Sequence, residues 1–155
     1  MKLRDFIISD SIVADLKATD RDSAIRELVT SLSSAGALPA DAVDEVVAAL
    51  VKREQNGSTG FGKGVAVPHV KHPQVKQMSA TIGRSATGID FAALDHQPVY
   101  SIVLLLSPDN QPQQHLQAMN TVFTNLQKDL FRRFLRQSAT QQAIIELLDE
   151  ADQGK

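Results

Sequence analysis

The sequence predicts an α/β fold, a mixed β-sheet flanked by helices on both faces (an α/β sandwich), built as a single domain over residues 1–155. Two observations lead there. Apolar residues recur at helical spacing in the first third, give way to short apolar runs broken by turn residues, and return to helical spacing after Pro108. The run VYSIVLLL, 99–106, is apolar on both alternating sides, as expected of a strand covered by helices above and below. With 155 residues and 43% hydrophobic content, the chain can build one sizeable core.

Over 19–35, Ile25, Leu28, Val29 and Leu32 form a stripe, with Thr19 or Asp20 as N-cap and Gly36 as the stop. Pro39 opens a second helix, striped by Val43, Val46, Val47 and Leu50 and ended by Asn56-Gly57, with Arg53 and Glu54 in its last turn. Strands are expected at 65–67, 80–82 and 99–106, with turn chemistry at Thr87-Gly88 and 95–98. Beyond Pro108, Leu116, Met119, Phe123 and Leu126 share a face. Leu130, Phe134 and Leu135 follow, then Ile144, Ile145, Leu147 and Leu148 after a Thr140 cap. Met119 and Phe123 read as core. No internal repeat or linker divides the chain.

Composition removes several function classes. A net charge of −2 disfavours binding to nucleic acid or to an acidic membrane surface. The absence of cysteine excludes disulfides, thiolate metal sites and cysteine-borne intermediates. The longest apolar run falls far short of the roughly 20 residues of a membrane span, and the N-terminus lacks the apolar stretch of a signal peptide. A cytoplasmic protein with no membrane insertion is expected.

The stretch GSTGFGKGVAVPHVKH, 57–72, carries the chemistry. Gly57, Gly62 and Lys63 fit G-x-x-x-x-G-K, but Gly64 stands where a phosphate-binding loop needs Ser or Thr. A helix precedes these glycines and VAVP follows, the reverse of the strand–loop–helix order that aims a helix N-terminus at phosphates. Nucleotide binding is disfavoured. Alone, the glycines would make only a mobile turn. Pro68 changes that reading: it fixes its own backbone and restricts Val67, so the imidazole of His69 leaves the strand end in one direction. His69 then faces a loop rich in N–H groups and in the hydroxyls of Ser58 and Thr59, a placement suited to an anion.

His69, His72 and His115 raise the question of a metal. Pro73 and the strand-like surroundings remove the helical face that would align His69 with His72, and no nearby carboxylate supplies a further ligand. Neither metal nor cofactor is expected. His96 reads as a surface turn residue, and Arg132, Arg133 and Arg136 read as the exposed side of an amphipathic helix.

The segment REQNGSTGFGKGVAVPH, 53–69, resembles the active-site segment of enzyme IIA proteins of the fructose/mannitol/nitrogen class, in the bacterial phosphoenolpyruvate-dependent phosphotransferase system. GIDFAALDHQPVYSIVLLLSP, 88–108, and HLQAM, 115–119, extend the resemblance over nearly the whole chain. It implies a phosphoryl carrier in which His69 accepts the group from the phosphohistidine of an HPr-type carrier protein. His115 matches the second active-site histidine and Arg53 the arginine kept near the site. Thr59, with Ser58 and Gly60, matches the phosphate-binding loop. The onward partner is a IIB protein or a regulatory target, and the lack of a fused IIB or transporter domain favours the nitrogen-regulatory branch.

The chemistry stands without the family. Neutral imidazole is the nucleophile, its ordinary pKa of about 6.5 leaves much of it neutral near pH 7, and catalysis consists of positioning and of donors for the equatorial oxygens. Arg53 offers a planar fork that either contacts the phosphate or orients the loop. One departure stands out: Val70 replaces the small residue usual after the Pro-His pair. Its bulk at the docking rim, where it is expected beside Phe61, keeps open an alternative function as a phosphate-independent protein-binding module.

Overall fold

The computed structural model describes residues 1–154. In chain order its elements are α1 (Arg21–Ser34), α2 (Val43–Gln55), β1 (Gly60–Gly62), β2 (Val65–Ala66), β3 (His69–Lys71), β4 (Ser79–Ile89), β5 (Val99–Ser107), α3 (Pro112–Leu126), α4 (Asp129–Gln137) and α5 (Gln141–Asp152).

The long apolar strand β5 is the centre of a mixed sheet. On one side β4 runs antiparallel to it; on the other, β2 and β3 run parallel in succession, and β1 pairs antiparallel outside β2. Ile7 and Val13 add parallel bridges to β4, tying the N-terminal segment to the sheet. Strand alternation sorts β5 into two cores: Ile102, Leu104 and Leu106 pack with α1 and α2, whereas Val103 and Leu105 pack with α3, α4, α5 and the N-terminal Leu3 and Phe6. The sandwich read from the sequence is the fold observed.

The helix signals act as their chemistry requires. The Asp20 side chain accepts from Ser23 N and the Thr140 hydroxyl from Ala143 N, so both caps satisfy an otherwise orphaned donor. Gly36 stops α1 in the left-handed region at φ 87°.

Four expectations are corrected. Pro68 interrupts its strand without ending it: Val65 pairs with Ser101 and His69 with Leu105 in unbroken register, and the Pro68 carbonyl still accepts from Leu105 N. Proline removes a donor but leaves its acceptor in place. Thr87-Gly88 lies inside β4, because Gly88 absorbs a register shift at φ 89° where a Cβ would come within 2.8 Å of Pro98. Leu116, Leu130 and Phe134 face solvent, at 61%, 57% and 50% exposure, whereas Met119, Leu126 and Leu135 are buried as expected and are joined there by Ala118, Val122 and Phe131. Of the α4 arginines, Arg133 and Arg136 are exposed as expected, while Arg132 is half-buried. Arg132 donates to Leu126 O and Arg136 lies 3.6 Å over the Tyr100 ring, leaving Arg133 on the open side.

Candidate active site

The glycine loop leaves α2 under the control of that helix's last turn. Gly57, at φ 147°, lets the chain reverse, and Arg53 Nη1 donates to Gly57 O at 2.7 Å. Glu54 is buried and points back beneath the loop, where its carboxylate accepts from Thr59 N at 2.9 Å and from Thr59 Oγ1 at 2.6 Å. A carboxylate near a helix C-terminus opposes the dipole, so these charge-assisted bonds from Thr59 are its compensation. Ser58 Oγ donates to Phe91 O at 2.6 Å and accepts from Gly60 N at 2.9 Å. Gly60 O accepts from Leu94 N, and Val67 N donates to Thr59 O.

The loop hydroxyls are therefore committed internally. Thr59 and Ser58, expected as donors to an anion, brace the loop, and the Thr59 hydroxyl proton is directed at Glu54. Arg53 orients the loop through Gly57 O and also lies close enough to His69 to disfavour its protonation.

The unbroken register through Pro68 decides where His69 points. Val65 and Val67 belong to the core under α3, so the alternating pattern carries His69 to that face and Val70 to the other, where Val70 packs on the α1–α2 core. His69 Nδ1 lies 2.7 Å from Val67 O. A carbonyl only accepts, so Nδ1 carries the proton and Nε2 is left with its lone pair. His115, buried in the first turn of α3, faces it with ring centroids 5.6 Å apart and planes tilted by 43°. Its Nδ1 is 2.6 Å from Ser107 Oγ, at the end of β5 on the same sheet face.

Burial pushes both imidazoles below their ordinary value. At His69, the Arg53 and Lys71 charges act in the same direction, opposed by the Val67 bond and by Glu54. At His115, His69 and Lys71 add to the burial effect. Two nitrogen rings, an arginine and a lysine thus converge at one end of the sheet, an environment that favours a transient anion.

Other sequence candidates fall elsewhere. His72 is buried and its Nδ1 accepts from Gln74 N, with Glu45 4.0 Å from its other nitrogen. Among the described residues no three His, Cys, Asp or Glu side chains gather as metal ligands. His96 sits exposed in the turn before β5 at φ 61°. Lys63 is exposed, its amide donates to the Asp95 carboxylate, and a strand rather than a helix follows, so the glycine-lysine pair builds no phosphate cradle. Phe61 stacks on Phe123 with centroids 5.1 Å apart, beside the face that carries His69; Val70 does not join that rim.

Glu54 and Ser107 were not singled out from sequence. Glu54 had a signal, an acidic residue in the unfavourable last turn of a helix just before an ST pair. Ser107 had a weaker one, a hydroxyl in phase with Val103 and Leu105 at the end of an apolar strand.

Fold and site together define a small α/β domain that presents a half-buried and a buried histidine side by side at one end of a mixed sheet. Residues 5–151 match the family described as phosphoenolpyruvate-dependent sugar phosphotransferase system, EIIA 2. The nitrogen regulatory protein of Bradyrhizobium diazoefficiens is 32% identical over 148 residues, covering 96% of this chain and 95% of that protein. The PTS system fructose-specific EIIABC component of Bacillus subtilis is 30% identical over 153 residues; 98% of this chain is covered, which spans only 24% of that longer protein. Among solved structures, nitrogen regulatory protein IIA-Ntr from Neisseria meningitidis superposes with a TM-score of 0.83 at 28% identity, covering 93% of this chain and 97% of that one. Enzyme IIA-Mtl from Escherichia coli, solved in complex with phosphorylated IIB-Mtl, shares the fold, with a TM-score of 0.76 at 20% identity over 91% of this chain and 95% of that one. The chain belongs to the EIIA type-2 family of the phosphoenolpyruvate-dependent sugar phosphotransferase system.

Proposed function

We propose that the chain is a histidine phosphocarrier, accepting a phosphoryl group on Nε2 of His69 from an HPr-type protein and then passing it to a IIB partner or using its phosphorylation state to regulate a protein target. One observation carries this reading. The Val67 carbonyl holds the Nδ1 proton of His69, so the opposite nitrogen is a ready nucleophile beside a second imidazole. The nucleophile has no proton to lose, and no general base is required. In the transfer, the P–N bond to the donor histidine breaks and its electron pair returns to the donor ring. The Nε2 lone pair forms the new P–N bond, while the proton stays on Nδ1, donated in a hydrogen bond to Val67 O.

The remaining residues serve the charge. His115 lies where it can donate to an equatorial oxygen, and Arg53 and Lys71 supply positive potential. Ser58, Thr59 and Gly60 hold the loop in register against Phe91, Glu54 and β2. Relatives bearing fructose-specific and nitrogen-regulatory names support both onward routes. Among the described residues no helix is long and apolar enough to cross a membrane, and a carrier dependent on phosphoenolpyruvate acts in the cytoplasm. The transfer complex is transient, with an interface below about 1,200 Å². Its apolar rim comes from Phe61.

The phosphate-independent alternative drew its argument from Val70 at the docking rim. Val70 packs towards α2 on the opposite face, so that argument falls away. The test is intact mass after incubation with phosphoenolpyruvate, enzyme I and an HPr-type carrier. One acid-labile phosphoryl group is expected, absent in His69→Ala and slowed in His115→Ala. A folded protein that gains no mass with several carriers would sink the proposal.

A further inference from the structure

We propose that Ser107 is a positioning residue that sets the tautomer of His115, donating its hydroxyl to Nδ1 so that His115 keeps its proton on Nε2 as a donor to the phosphoryl group on His69. The inference rests on the carrier reading above and deepens it. Ser107 is fully buried, out of reach of solvent, and the hydrogen-bond partner of its Oγ is His115 Nδ1 at 2.6 Å. Two arrangements satisfy that distance. If His115 donated from Nδ1, the buried serine proton would be left without an acceptor, the costly way to fill the contact. If Ser107 donates, both groups are satisfied, because a neutral imidazole offers one acceptor nitrogen and one donor nitrogen. The second arrangement places the His115 proton on Nε2.

The site then holds its two imidazoles in opposite tautomers by two different devices. A backbone carbonyl that only accepts fixes the proton of His69 on Nδ1 and bares Nε2. A hydroxyl with no other acceptor among the described residues does the reverse to His115. The asymmetry divides the labour, with one ring as nucleophile and the other as hydrogen-bond donor. With the opposite tautomer, the lone pair of His115 Nε2 would meet a negatively charged group. Burial keeps His115 in its neutral form, so a single tautomer is meaningful near neutral pH. Ser107 is itself held in place from the neighbouring strand, where Lys71 pairs with it and His72 N donates to its carbonyl at 2.9 Å. No proton leaves His115 during the transfer.

The experiment combines histidine-selective nitrogen NMR with phosphoryl transfer from phosphorylated HPr, on the full chain and on Ser107→Ala and Ser107→Cys. The wild-type spectrum is expected to show His115 protonated on Nε2 and bare on Nδ1. Ser107→Ala should populate the opposite tautomer and slow transfer about tenfold or more, with one phosphoryl group per chain still reached. Ser107→Cys keeps the bulk of the side chain with a weaker donor and should fall between, which separates tautomer control from loss of folding. A wild-type His115 protonated on Nδ1 overturns the inference, as does a Ser107→Ala chain with unchanged tautomer or unchanged rate. If the wild-type chain itself takes up no phosphoryl group, the carrier reading fails and this use of Ser107 fails with it, a result distinguishable because the tautomer is measured without any donor.

Discussion

His69 and His115 share one consequence of burial, both imidazoles resisting protonation more than free histidine does. Because the proposed nucleophile is the neutral ring, the acid limb of the transfer rate should lie below the ordinary imidazole value of about 6.5. A pH–rate profile on His69 phosphorylation measures this directly, and a limb at or above that value contradicts it. Glu54 gives a second prediction. Glu54→Ala leaves the amide and hydroxyl of Thr59 without their buried acceptor, a loss of about 1–3 kcal/mol in unfolding free energy. Transfer should slow as well, since the loop beside His69 loses its brace; denaturant titration and single-turnover rates report the two effects separately. Val70→Ala should behave oppositely, destabilising by about 1 kcal/mol while leaving the transfer rate within about twofold, because its side chain packs on the face away from His69. The sequence made His69, Arg53 and His115 legible, the first through Pro68 and the others through a family pattern. It hid the committed state of Ser58 and Thr59, because which groups a hydroxyl serves depends on Glu54 and Phe91, and the fold brings Phe91 in from 33 positions away from Ser58.

At the scale of elements, the stripes of α1 and α2 are fully legible in the sequence and the shortest strands are not. The stripes of α1 and α2 hold because each repeats over three or more turns and ends at a glycine with positive φ. Strands β1 and β3 carry only three residues each, too few to show a period, and both owe their existence to the partner strand. In α3 and α4 Met119, Leu126 and Leu135 are buried as their spacing predicts, whereas Leu116, Leu130 and Phe134 face solvent and the small Ala118 takes an inward position. Gly83 shows how tight an approach can be between α1 and β4. A Cβ there would stand 2.8 Å from Leu28 Cδ2 and 3.0 Å from Leu16 Cδ1. Overpacking costs about 1–3 kcal/mol, whereas alanine regains only about 0.5–1 kcal/mol of chain entropy. Gly83→Ala should therefore lower stability by roughly 1 kcal/mol, and a calorimetric scan showing stabilisation would mean that the leucines move aside freely.

Across the whole molecule, the two cores are separated by a single sheet and joined through β5, so the site is anchored to both. His69 and His115 also tie global stability to pH. Their folded pKa values lie below the unfolded one, so the unfolded chain binds more protons in the intervening window. Stability is then fully present above about pH 6.5 and is lost as pH falls through that value towards the lower folded values. Urea midpoints compared at about pH 8 and about pH 5.5 should show the decline, and His69→Ala should lessen it.

The unbroken register of β2 and β3 across Pro68 has a thermodynamic consequence for the proposed carrier. The nitrogen proposed to receive the phosphoryl group belongs to a ring held by the central sheet, through its own backbone and through Val67 O. In the proposed carrier, receiving and donating would then use one geometry. A relay built this way dissipates little of the group-transfer potential it inherits. In the proposed carrier the exchange would then run in either direction, and the phosphorylated fraction of the chain would read out the balance between supply and use.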